Sequence, residues 1–487
     1  MRTIAKLNQT TIKQSPITMK RNCNHMKKTL LLTLALGLAG ATSLVAGNVD
    51  VYITGSTAFR ANVYTACQKL FNPPQSGTAS TYFGNTAHGG ADTGQTSKTA
   101  VWAMTGTPAA GLTALSGSTL TIHGNFTGSI QGLQTAEQGT LLVWANADGT
   151  PGAGNICATY STNAPTIGMS DSSGTASPYP ATGNFLEENV CVQPFVMCKS
   201  AATTGAITNI NNITWEQIEF GIPNGRIPLS AWTSKAADTN TFVYLMERTK
   251  DSGTRRVFTQ GAYYPYNGTV GIYLYDYTNK FFYTPTTLAT TTKAASPNGV
   301  AGPAGFGNAN LNWGYGYVGG GDIATSLGDA NAANQAIACL SIGDSKGINS
   351  STNWATVIAY NGIWPTAAGS GIFNNTGTND YSPITLGYYP IWGFEVLVHA
   401  EVPNGTSPGT VITGQNLNYL QLGDNQTPGS FMGVFNAQSG DNGGVVTAGS
   451  IENEIILSQP GGATAIPLAA MANQRPNVGG TIYPPFN

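Results

Sequence analysis

Charge is scarce in this sequence: Asp, Glu, Lys and Arg together make up 9% of its 487 residues. Without a basic field there is nothing to displace counterions from a phosphate backbone, so nucleic acid is not an expected partner. Histidine is scarcer still, with four residues. A zinc site or a Ser-His-Asp triad is therefore poorly supplied, and the cysteine spacings are not those of a metal centre. No metal, cofactor or activated nucleophile is expected, which makes an enzyme the least favoured class. Long apolar runs are missing beyond the N-terminal segment, so the mature chain is not expected to span a membrane. Of the six cysteines, Cys23 lies in that segment and Cys67, Cys157, Cys191, Cys198 and Cys339 follow it. Five is an odd number, so at least one thiol is unpaired or pairs with another chain. Cys157 with Cys191 or Cys198 is the expected bridge in an oxidising compartment.

The N-terminal segment itself reads as a signal peptide over residues 1–47, with Met26 as an alternative start. Met26-Lys-Lys is a basic n-region, Thr29 to Gly40 an apolar core, and Ala41 to Gly47 a small-residue cleavage zone. A periplasmic, secreted or cell-surface location follows. The leader holds seven of the 21 basic residues and none of the 23 acidic ones, which leaves 14 against 23. Four of those 14 (Arg248, Lys250, Arg255 and Arg256) fall within nine positions. The remaining roughly 440 residues suffice for two or more lobes with their own cores. They are rich in Gly, Thr, Asn and Ser, with long stretches of little periodicity, of which 73–118 reads as an insertion or decorated loop.

The cation cluster lies in Arg248-Thr-Lys-Asp-Ser-Gly-Thr-Arg-Arg-Val-Phe258. An apolar run, Thr241 to Met246, precedes it as a buried strand, and Val257-Phe258 starts the inner face of a helix. Asp251 to Thr254 thus sits where a strand becomes a helix. The first backbone N–H groups of a helix lack intrahelical partners and the dipole there is positive. Gly253 allows close approach, Ser252 and Thr254 add hydroxyls, and Arg248 adds a planar cation with paired donors. This is an oxyanion cradle; the plainer reading is a capped helix start.

The same unit recurs. Val49, Val51 and Ile53 alternate as in a strand, then Gly55-Ser-Thr-Ala-Phe59 leads to a helical pattern from Ala61 to Leu70. A strand from Leu120 turns at Thr127-Gly-Ser129 into a helix near Gln131. Thr166-Ile-Gly-Met-Ser-Asp-Ser-Ser173 ends a strand in hydroxyls and a carboxylate. Four such turns predict helix N-termini converging on a small anion in an α/β protein.

These turns, in this order, resemble the phosphate-binding proteins of ABC transporters, the PstS type. Further segments are similar: Val190 to Met197 to the first hinge strand, Ile213 to Gly221 to the helix after it, and Tyr389 to Val398 to the returning hinge strand. Ala336 to Ser341 resembles a strand between them. The resemblance implies a two-lobed type II periplasmic-binding fold with Gly/Thr/Asn-rich insertions. Lobe 1 would comprise 48–200 with 388–487, and lobe 2 would comprise 201–387. It implies capture of inorganic phosphate or a related oxyanion, with the membrane subunits of an ABC transporter as partners. The ligand residues it implies are Thr57, Ala58, Phe59, Ser129, Asp171, Arg248, Ser252, Gly253 and Thr254. Asp171 would set specificity, because a carboxylate repels an oxyanion that has no proton to donate. Ala58 departs from the family's threonine, leaving Thr57 or Ser56 to supply that hydroxyl. Arg60 is also unexpected, as a ligand group or as a surface charge. The alternative is a surface, structural or adhesive protein reusing the fold, and a phosphatase is less expected.

Overall fold

The structure, a computed structural model, describes residues 47–85, 101–172, 184–249, 252–283, 316–345, 348, 356–367, 379–437, 449–458 and 465–472, apart from short gaps at 202–203, 266–269, 272, 277–280, 318 and 330–334. The leader lies outside the described residues, as do Lys250 and Asp251. Among the described residues no helix is long and apolar enough to cross a membrane.

The chain is a mixed α/β protein. Strand β1 (Asn48–Gly55) runs into helix α1 (Arg60–Lys69), followed by β2 (Thr81–Phe83), β3 (Trp102–Gly106) and β4 (Thr119–Asn125). Helix α2 (Ser129–Glu137), β5 (Leu142–Ala145), β6 (Tyr160–Asn163) and β7 (Ile167–Ser170) come next. The 15-residue β8 (Phe185–Lys199) is followed by β9 (Asn212–Ile213), α3 (Trp215–Asn224), β10 (Arg226–Pro228), β11 (Phe242–Met246) and α4 (Gly253–Gly261). Then come β12 (Leu274–Asp276), β13 (Phe281–Tyr283), α5 (Gly320–Asp329), β14 (Gln335–Ser341) and β15 (Val357–Tyr360). Strand β16 (Trp392–Ala400) and helix α6 (Ile451–Ser458) follow.

One large sheet has the order β10-β11-β14-β8-β16-β7-β1-β4-β3-β2. Strands β4, β1 and β7 are parallel, as are β11 and β14. Between these groups β8 and β16 run antiparallel to each other and to their outer neighbours. Parallel strands with helical crossovers bury both faces, which explains why the second half of β1 is buried on both sides rather than alternating.

Two large apolar clusters form the interior. One gathers Val49, Val51, Ile53, Phe59, Trp102, Ile122 and Leu397; the other gathers Phe195, Leu245, Val257, Phe258, Ile337 and Trp392. Strand β8 changes cluster between Cys191 and Val192.

Two expectations need correction. Residues 73–118 are not only loop, since β2 and β3 extend the sheet beyond β4. Their three and five residues are too short to show a period. The expected bridge is also absent: Cys157, Cys191 and Cys198 are free thiols, each buried in a different cluster.

Candidate functional site

The three N-terminal turns are stitched together by the backbone. Gly55 takes a φ of 126°, and a Cβ there would run into the Met169 carbonyl, so only glycine fits. This lets Ser56 N–H donate to Met169 O at 2.8 Å and Gly128 N–H donate to Gly55 O at 2.9 Å. Thr54 and Thr127 hydroxyls meet at 3.3 Å. The ends of β1, β4 and β7 are thereby gathered at one edge, which places Ser129 at the start of α2 and Asp171 just past β7.

Helix α4 reaches the same place. Ser252 is its N-cap and accepts from Arg255 N–H at 3.4 Å. Gly253 is its first residue. A Cβ on Gly253 would collide with Asp171 Oδ1 and stand 3.0 Å from Ser129 Cβ. So Asp171 and Ser129 lie directly against the α4 N-terminus, with the Asp171 carboxylate where the helix favours an anion. Asp171 is 1% exposed, and its Oδ1 has no hydrogen-bond partner. Arg248 is also buried: Nε donates to Tyr317 O at 3.3 Å and Nη1 to Thr254 Oγ1 at 3.4 Å. Arg255 Nη1 donates to Arg248 O at 3.2 Å, which braces the backbone beneath it.

The structure therefore brings Ser129, Asp171, Arg248, Ser252, Gly253 and Thr254 together. Thr57, Ala58 and Phe59 lead into α1. Phe59 is fully buried in one apolar cluster, while Ala58 packs against the other. This turn joins the site through the next residue, Arg60, whose charge Arg248 feels.

Sequence reasoning left Arg60 open and missed its partners. Asp322, in the first turn of α5, accepts from Gly319 N–H at 3.2 Å. Asp344, in the turn after β14, accepts from Ser341 Oγ at 2.9 Å. A Cβ on Gly320 would strike Asp344 Oδ2, so both carboxylates lie at the N-terminus of α5. Both are within electrostatic reach of Arg60 and Arg248. The Gly319-Gly-Gly-Asp322 stretch at the α5 N-terminus is thus already supplied with carboxylates. Ser341-x-x-Asp344 after a strand was the available signal.

The two guanidiniums, Asp171 and Asp322 are perturbed by burial and by one another, with Asp344 adding its charge. Burial pushes the Asp171 carboxyl above the usual range; Ser129 and Arg248 pull it down, and Asp344 pushes it up again. Burial raises Asp322 to about 6, with Gly319 N–H and Arg248 opposing. Burial lowers both Arg248 and Arg60, against Asp344 and other acids that favour their charge. The arrangement can hold an oxyanion on Arg248 and two helix N-termini, provided that the ligand brings a proton for a carboxylate. Among the described residues no group of acidic, His or Cys side chains could hold a metal ion.

No protein-family model and no curated protein sequence matches the chain. Among solved structures it is similar to an ABC-type phosphate transport receptor from Vibrio cholerae, at 13% identity over 73% of this chain and 88% of that one, with a TM-score of 0.33. It is also similar to PstS from Borrelia burgdorferi, at 11% identity over 72% and 87%, with a TM-score of 0.27. A third is the periplasmic phosphate-binding protein PfluDING, at 12% identity over 86% and 90%, with a TM-score of 0.36.

Proposed function

We propose that the chain is an exported solute-binding protein that captures phosphate, or a closely related oxyanion, between two lobes joined by β8 and β16. The observation that carries this reading is the meeting of Asp171 with Ser129 and Gly253 at the α4 N-terminus, beside buried Arg248. The helix ends and Arg248 supply donors to unprotonated oxygens. Asp171 accepts from a protonated one. Sulfate, which has no proton to give at neutral pH, would leave two acceptors facing each other in a dry site. Capture needs no chemistry, only closure about the crossing strands. Delivery to the membrane subunits of an ABC transporter is the purpose that fits an exported protein of this kind.

Titration calorimetry of phosphate-stripped protein with phosphate and with sulfate tests the reading. Phosphate heat without sulfate heat is expected, and Asp171→Asn should admit sulfate because an amide can donate. A folded sample silent to both anions would instead favour the surface-protein alternative.

A further inference from the structure

The phosphate reading leaves a buried acid beside Asp171 without a task. Glu395 lies on β16 amid Tyr389-Pro-Ile-Trp-Gly-Phe-Glu-Val-Leu-Val398. It is fully buried, and neither carboxyl oxygen has a hydrogen-bond partner. Its strand partner is Cys191, the residue at which β8 passes from one core to the other. The register of the β8–β16 pair slips between Glu395 and Val396, and such irregularities re-aim side chains. Two residues earlier, a Cβ on Gly393 would stand 2.9 Å from Asp171 O, so β16 runs directly beneath the Asp171 turn.

A lone carboxylate in an apolar interior is costly unless it is paired or neutral. Among the described residues no cation pairs with Glu395. Asp171 faces it from the end of β7, and the Ser56 hydroxyl approaches from the turn after β1 without closing a hydrogen bond. Cys191 faces it from β8 and in turn faces Glu452 of α6. Of the helices packed on β16, α2 carries Glu137 and α4 carries buried Arg256. Two neighbouring carboxyls in a dry site do not both ionise. Asp171 has Ser129 and Arg248 to steady its charge, and Glu395 has only Ser56.

We propose, resting on the phosphate reading, that Glu395 holds a proton at the junction of the two cores and acts as a positioning residue that leaves the negative charge on Asp171. Burial, with the Asp171 charge behind it, pushes the Glu395 carboxyl well above the usual range. Were the proton on Asp171 instead, that residue would donate rather than accept, and selection against sulfate would fail. An anion bound over Asp171 adds negative charge and tightens Glu395's hold on its proton. Capture therefore takes up a proton wherever the free protein has begun to lose it.

The test is phosphate titration of wild type and Glu395→Gln along an alkaline pH series, in paired buffers of different ionisation heat. Phosphate's own titration is common to both proteins. The wild type should lose about tenfold more affinity on the alkaline side, the effect of one added like charge, and should take up a proton that Glu395→Gln does not. Matching pH profiles, or a folded Glu395→Gln that binds at no pH, would overturn the proposal. If that variant does not fold, infrared spectroscopy of the wild type decides. A protonated-carboxyl band should persist above pH 8, beyond Glu137 and Glu247, both at about 7. Its absence would overturn the proposal even if phosphate binds. A wild type that keeps the band but binds no phosphate would overturn the functional reading alone.

Discussion

Gly253 is the residue on which the site geometry turns. It has no side chain, and the Asp171 carboxyl fills the space one would need. Gly253→Ala should therefore push Asp171 away from the α4 N-terminus. Overpacking of this kind costs about 1–3 kcal/mol, and here it should appear mainly as lost phosphate affinity, about 10- to 100-fold, with thermal stability changed less. A variant that binds as the wild type does would show that Asp171 and α4 do not meet in solution. Arg248 makes the complementary case. It is the buried cation between Asp171, Asp322 and Asp344. Replacing it by Ala should abolish measurable binding, because three carboxylates would then face the anion with only Arg60 opposing them. Both residues were legible in the sequence, since Arg248 to Thr254 lies within one strand-to-helix turn, although the contacts that give the effects, with Asp171, Asp322 and Asp344, come from distant segments. Glu395 and Asp344 were not legible in that way. Each becomes a neighbour of Asp171 only through sheet pairing, β16 beside β7 and β14 beside β8.

At the scale of elements, the four turns were readable because each is local: an apolar run, a Gly/Ser/Thr turn, then a helical period. Strands β1, β4, β7 and β11 and helices α1, α2 and α4 all lie where those patterns put them. Strands β2 and β3 escaped because Thr81–Phe83 gains its pairing from β3 and Trp102–Gly106 from β4, not from their own pattern. The cysteine expectation failed for a related reason, because proximity in sequence says nothing about which core a thiol enters. Helix α5 shows how an element can change the chemistry of a site without touching its ligand. Its N-terminus, a place that favours anions, is occupied by Asp322 and Asp344 of the chain itself. These charges make Arg248 and Arg60 less available to a ligand. Asp344→Asn should strengthen phosphate binding by on the order of 1 kcal/mol, about fivefold, in calorimetry at neutral pH. Weaker binding would show that Asp344 serves chiefly to brace Ser341 and the α5 terminus.

For the whole molecule, the buried acids set how stability responds to pH. Glu247 is 3% exposed and its Oε1 has no hydrogen-bond partner. Burial raises it from the ordinary glutamate value to about 7, with Arg255, the Arg248 backbone N–H and the Arg248 charge holding it back. Glu137 is raised to about 7 by burial and by Glu187, and Asp322 to about 6. A folded-state value above the unfolded one means that the folded chain binds the proton more tightly. The stability so gained is complete below the unfolded value near 4.5 and is lost as pH rises through about 7. Glu188 works the other way. Burial pushes it up, but His399, Asn425 N–H and Asn436 outweigh that and hold it low, so its contribution is lost only in acid. The molecule should therefore be more resistant to heat near pH 5 than near pH 8 when no anion is bound. Glu247 alone accounts for up to about 3 kcal/mol of that difference. Glu247→Gln, which keeps the shape and removes the titration, should narrow the gap between the melting temperatures at the two pH values. A wild-type melting temperature that does not fall between pH 5 and pH 8 would mean that Glu247 is hydrated or paired in solution, and the dry interior behind Arg248 would have to be redrawn. Phosphate gives this test a second arm. A ligand that binds only the folded state should raise the melting temperature at both pH values, because Glu395 holds its proton at both.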